Sequence, residues 1–85
     1  MRIDKWLYYV RLYKTRIESN YAWGNGYVLI NKLIKNNSSY KISISDIITI
    51  VKNHKTIIIK VLKLPEKRIS PKIINSTYKL IKQWL

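Results

Sequence analysis

The chain of 85 residues carries 17 lysine and arginine side chains against four acidic ones, a net charge of +13, with 47% hydrophobic residues and no cysteine. That length holds one domain, leaves no room for a catalytic domain beside a binding domain, and requires a core built by packing without disulfides. Self-repulsion at this charge opposes compaction unless a polyanion neutralises it, so nucleic acid is the expected partner; the apolar pattern meanwhile excludes a transmembrane span and makes disorder a poor account.

In chain order, Ile3, Trp6, Leu7 and Val10 fall at i, i+3, i+4 and i+7. This spacing predicts a first helix over about Ile3 to Tyr13, with that stripe, Trp6 included, in the core. Arg2, Lys5 and Tyr9 cluster on a different helical face, beside the stripe. A second helix should begin at Thr15, because Thr15-Arg16-Ile17-Glu18 fits a capping box, in which Thr and Glu each satisfy an orphan backbone donor. It should end near Gly24 and Gly26, where glycine accommodates a positive φ. The pair makes an αα-hairpin, and Tyr21, Trp23 and Tyr27 are expected to close the core between helix and sheet.

From Tyr27 the period falls from 3.6 to two. Val28 to Ile30 reads as a strand, Asn31-Lys32 as a turn before Leu33-Ile34, and Asn36 to Ser39 as a loop. Tyr40 to Ile44 alternates again, and Asp46 precedes the run Ile47 to Val51. Lys52 to Lys55 is a turn candidate leading into Thr56 to Leu64. Pro65 and Pro71 bound an irregular segment. Asn75 reads as the cap of a last helix ending near Trp84, with Tyr78, Leu80, Ile81, Trp84 and Leu85 packing it on the sheet. The fold class expected is α+β: an αα-hairpin packed on a small, mainly antiparallel sheet, with a C-terminal helix.

Enzyme constellations are missing from this order. Asp4, Glu18, Asp46 and Glu66 are far apart in sequence, and His54, the sole histidine, falls in a turn. No Cys/His set suits zinc and no glycine-rich P-loop follows a strand, so neither catalysis, a metal nor a cofactor is expected. The informative cluster is Arg11, Lys14 and Arg16, around the junction of the two helices. A helix N-terminus already carries about half a positive charge, so stability alone would favour acidic residues there. Cations plus free amide donors instead suit phosphate. Arg2, Lys5 and Tyr9 form a second candidate patch; Tyr9 can serve either the core rim or base stacking. Lys32 and Lys35 can extend the basic surface or simply solubilise it.

The run Arg2-Ile3-Asp4-Lys5-Trp6-Leu7, then Val10-Arg11-Leu12-Tyr13-Lys14-Thr15-Arg16, resembles the opening of the S-four RNA-binding domain family. Gly26-Tyr27-Val28-Leu29-Ile30-Asn31 is similar to that family's strand signature, and Asp46-Ile47-Ile48 to the close of its glycine-aspartate turn. The resemblance makes residues 1–51 the RNA-binding module. Residues 52–85 then supply a strand, a proline-bounded loop and a helix packed on the same domain. It implies Arg2, Lys5, Arg11, Lys14, Thr15 and Arg16 as the RNA-facing set. Ser45 and Lys32 stand where the family has glycine, so a distorted β-turn is expected.

Leu62 to Arg68, then Tyr78, resembles the segment that follows the module in the ribosome-associated heat-shock branch, while the length resembles the short ribosome-quality-control branch. Either branch implies a non-catalytic protein that binds rRNA of the large ribosomal subunit, with tRNA as a second contact; the missing export signal makes a cytoplasmic location the expectation, and a charge of +13 on so small a chain makes it monomeric when free. The alternative is a targeting module for a separate RNA-modifying enzyme such as a pseudouridine synthase. DNA binding is a poorer account, because Arg16 alone could read bases from the second helix.

Overall fold

The computed structural model describes residues 1–31 and 40–84. Helix α1 spans Ile3–Tyr9 and α2 spans Arg16–Gly24. Strands β1 (Val28–Ile30), β2 (Ile47–Lys52), β3 (Lys55–Val61) and β4 (Tyr78–Trp84) form an antiparallel meander in the order β1-β2-β3-β4. The architecture is therefore α+β, with the helical hairpin against a four-stranded antiparallel sheet. Lys32, Lys35, Leu33-Ile34, the Asn36 to Ser39 loop and Leu85 lie outside the described residues.

Both periodicities survive into the core. Ile3, Trp6, Leu7 and Val10 are fully buried on α1, and they meet Val28, Ile30, Ile48, Ile50, Ile59 and Val61 from alternate positions of β1, β2 and β3. A side chain of this size contributes roughly 1.5–3 kcal/mol when fully buried, so the shared cluster holds the hairpin to the sheet. Asp4 ties α1 to α2: its buried carboxylate accepts from the Arg2 guanidinium, the Lys5 amide and the Asn20 side-chain amide. Its carbonyl accepts from the buried Ser19 hydroxyl at 2.8 Å.

The ends of the helices follow local chemistry. Thr15 caps α2, its Oγ1 accepting from the Glu18 amide at 3.0 Å, as the capping pattern predicts. At the other end Gly26 sits at φ +80°, the Gly26 amide donates to Trp23 O and the Tyr27 amide to Ala22 O. This is a Schellman closure, in which glycine takes the left-handed residue without a Cβ penalty. The turn from Lys52 to Lys55 is a two-residue hairpin with Asn53 and His54 both at positive φ, the twist that suits flanking strands.

Several expectations are corrected. Helix α1 stops at Tyr9 rather than Tyr13, because Arg11 takes a left-handed conformation (φ 66°) and the Leu12 amide turns back to Leu7 O. Tyr40 to Ile44 is not a strand of the sheet. Its start pairs with the N-terminus instead, Ile3 donating to Tyr40 O and Ile42 to Met1 O. The predicted C-terminal helix is strand β4. Asn75 caps nothing and lies inside a short 3-10 helix, Pro71–Ser76, which Ser70 caps. The apolar spacing from Tyr78 to Trp84 suits either element, but β3 would otherwise expose a row of unpaired backbone groups, and β4 satisfies them from Thr56 to Val61. Tyr78 then packs edge-on to Trp6, with ring centroids 6.2 Å apart. Leu80, Ile81 and Trp84 consequently face solvent in large part instead of packing on the sheet.

Ser45 occupies φ 77°, with its amide donating to Val61 O and the Asp46 carboxylate closing the turn on the Ser43 amide. The turn keeps its shape at a cost of about 1 kcal/mol for an L-residue with a Cβ in that region. Ser45→Gly is therefore expected to raise the melting temperature by a few degrees, roughly 0.5 kcal/mol after glycine's larger unfolded-state entropy is subtracted. A thermal melt followed by circular dichroism checks this, and a lower melting temperature would contradict it.

Candidate nucleic-acid interface

The α1–α2 connection is short, so Arg11, Lys14, Thr15 and Arg16 are neighbours by chain adjacency alone, and all four are exposed. Thr15 uses its hydroxyl on the Glu18 amide. The earlier amides of α2 precede any intrahelical bond and remain oriented outward with the positive end of the helix dipole. Arg11 holds the left-handed position that closes a Schellman turn on α1, where glycine is the usual occupant. Its Nε donates to Ile69 O at 2.6 Å, which fixes the guanidinium over the loop after β3.

Two cations that sequence reasoning did not select complete this pole. Lys52, at the end of β2, donates from Nζ to Leu12 O at 2.6 Å and sits 4.4 Å from the Tyr13 ring centroid. Arg68 donates from Nε to Tyr8 O at 3.2 Å and from its terminal nitrogen to Tyr13 O at 3.4 Å, with its guanidinium stacked over Tyr8. Tyr8 lies in the last turn of α1 and Leu12 and Tyr13 just beyond it, so cations here complement the negative C-terminal end of that helix. The resemblance segment Leu62 to Arg68 contained Arg68, but nothing in local spacing shows that it reaches Tyr8.

The other predicted residues are placed differently. Arg2 is bound through both guanidinium edges to Asp4, at 3.2 and 3.0 Å, the ion pair found among the described residues. Lys5 lies 5.4 Å from the Tyr9 ring centroid, and both are half-buried, so Tyr9 carries one cation beside its ring. Lys32 and Lys35 lie outside the described residues. Tyr21 and Tyr27, expected in the core, are instead exposed by 62% and 46%, whereas Trp23 is buried as expected. The helix turns Tyr21 outward because Ala22 and Trp23, with Ser19, already fill its inner face.

Among the described residues no group of three or more His, Cys, Asp or Glu side chains lies together. No helix there is long and apolar enough to cross a membrane. Burial, with the Glu18 charge adding to it, pushes the Tyr13 hydroxyl from 10.0 up to about 12. A folded-state value above the unfolded one means stability is complete below pH 10 and is lost as pH rises towards 12. The expected result is that Tyr13→Phe loses less stability than the native chain between pH 9 and 11.5 in urea titrations. Comparing the two chains cancels the lysines that titrate in the same window. Equal losses would contradict the assignment.

No family model matches the chain, and no curated protein matches it. Solved structures do. The trimeric structure of Vibrio cholerae heat shock protein 15 matches with a TM-score of 0.89 and 27% sequence identity. The match covers 95% of this chain and 81% of that one. The chain is similar to heat shock protein 15 in fold over nearly its whole length. The shared path takes in β4, the element for which periodicity alone predicted a helix.

Proposed function

We propose that this chain is a non-catalytic RNA-binding protein acting on the large ribosomal subunit, in a heat-shock or ribosome-rescue setting. The observation that carries the reading is the set of cations gathered at the α1–α2 turn. Arg11, Lys14, Arg16, Lys52 and Arg68 meet there, and none has a carboxylate partner at ion-pair distance among the described residues. Lys14 and Arg16 stand at the N-terminus of α2, where stability alone disfavours cations, and phosphate is the ligand that relieves the repulsion. The S-four resemblance of residues 1–51 and the similarity to Vibrio cholerae heat shock protein 15 support the same reading. Backbone phosphates should dominate the affinity, because the exposed groups are cations and amides rather than a set suited to a base edge. On this reading the free chain is a monomer, since a second copy at +13 is repelled unless RNA screens the charge.

The test is co-sedimentation of the tagged chain with lysate ribosomes on sucrose gradients, with subunits separated by lowering magnesium. Enrichment on the large subunit is the expected result. Sedimentation only at the top of the gradient, with no rRNA retained, would remove the ribosome from the reading.

A further inference from the structure

Beside the basic pole, on the outer face of α2, lies an open groove of 360 Å³. Ile17, Tyr21, Ala22, Tyr27 and Val51 form its apolar walls, and Tyr13, Glu18 and Lys52 also border it. The walls are unusually exposed for their chemistry: Ile17 by 81% and Tyr21 by 62%. The Tyr21 and Tyr27 rings lean together, with centroids 6.5 Å apart and planes inclined by 33°. Tyr13 is buried, and its hydroxyl has no hydrogen-bond partner among the described residues.

We infer that this groove takes one unpaired nucleobase of the bound RNA, stacked on the exposed Tyr21 ring. The inference rests on the RNA-binding reading above and adds to it a base-contacting site that the basic residues do not provide. The volume lies at the small end of ligand sites, which suits a flat ring system rather than a helix. An exposed tyrosine ring in an otherwise apolar groove offers the stacking face that an unstacked base takes.

Charge selects among occupants. Arg16 is adjacent in the chain to Ile17, and Lys52 lines the groove from the sheet side. A sugar-phosphate strand that places a base on Tyr21 therefore runs past cations, whereas a second copy of this chain brings +13 to the same place. Stacking on an aromatic face tolerates any base, so the groove should detect an unstacked nucleotide rather than a sequence.

The experiment compares two RNA hairpins of identical stem, one carrying a single bulged 2-aminopurine and one with that nucleotide paired. Affinity is read by anisotropy and stacking by 2-aminopurine fluorescence. The native chain should prefer the bulged hairpin by roughly 5- to 100-fold, the range for one base on an aromatic ring, and quench its fluorescence. Tyr21→Ala should abolish the preference and the quenching while binding the paired hairpin as before, and Tyr21→Phe should retain both. Equal affinity of the native chain for both hairpins, or quenching that persists in Tyr21→Ala, overturns the base site and leaves the RNA-binding reading standing. If neither hairpin is bound, the RNA-binding reading falls and takes the base site with it. If light scattering shows that the native chain self-associates and Tyr21→Ala does not, the groove is an interface between copies and the proposal is overturned.

Discussion

On the proposed reading, replacing Lys14 and Arg16 together by alanine should lower affinity for large-subunit rRNA by roughly a hundredfold, taking about 1.5 kcal/mol for each charge-assisted hydrogen bond to phosphate. Both side chains are exposed and neither holds another part of the fold. The melting temperature should therefore stay close to the native value, as surface changes generally cost within about 0.5 kcal/mol. The salt dependence is the sharper readout. Each phosphate interaction removed should flatten the slope of log affinity against log salt by about 0.7–0.9. Lys52→Ala and Arg68→Ala are the contrasting pair, since these cations also bond the carbonyls of Leu12, Tyr8 and Tyr13. They should lose stability as well as affinity. Filter binding at several salt concentrations, with a melt for each variant, separates the classes. An unchanged slope for the Lys14/Arg16 double variant would remove the α2 N-terminus from the interface.

The largest expected effect on folding belongs to Trp6→Ala. Trp6 is fully buried, its Nε1 donates to Lys63 O at 2.8 Å, and its ring meets Tyr78. It thus joins α1 to the segment after β3 and to the first residue of β4. Truncating a buried tryptophan costs about 3–5 kcal/mol through reduced burial and the cavity left behind. For a chain of this size the whole stability is on the order of 4–13 kcal/mol, so this one truncation removes from about a quarter to all of it. Trp6→Phe keeps most of the volume and loses the hydrogen bond, so it should fall between the native chain and Trp6→Ala in urea denaturation. A Trp6→Ala chain that melts near the native temperature would mean that the hairpin and β4 are held together elsewhere.

Most of the local design is legible in the sequence. Thr15 and Glu18 are three residues apart, and their hydrogen bond needs nothing beyond one turn of helix. The same holds for the turn at Asn53-His54 and for the alternation that buries Ile48 and Ile50. The central part of the candidate site is legible for this reason too: Arg11, Lys14, Thr15 and Arg16 are together because the connection between the helices is short. Lys52 and Arg68 are not, because they reach the same turn from 40 and 60 residues away. Spacing carries no trace of a pairing at that separation.

Composition, helix period, caps and hairpin turns, all set by interactions within a few residues, were enough for an α+β class, a basic αα-hairpin and a phosphate-suited helix start. Whether the last apolar run became a helix or a strand was settled by the free edge of β3, which offered hydrogen-bond partners along its length. Which aromatics of α2 faced inward was settled by the sheet, which had room for Ala22 and Trp23 and left Tyr21 outside. Long-range packing acts on surfaces that the chain creates only when it closes, so these outcomes depend on the assembled molecule. They are also the ones that place Tyr21 and Tyr27 beside the basic pole.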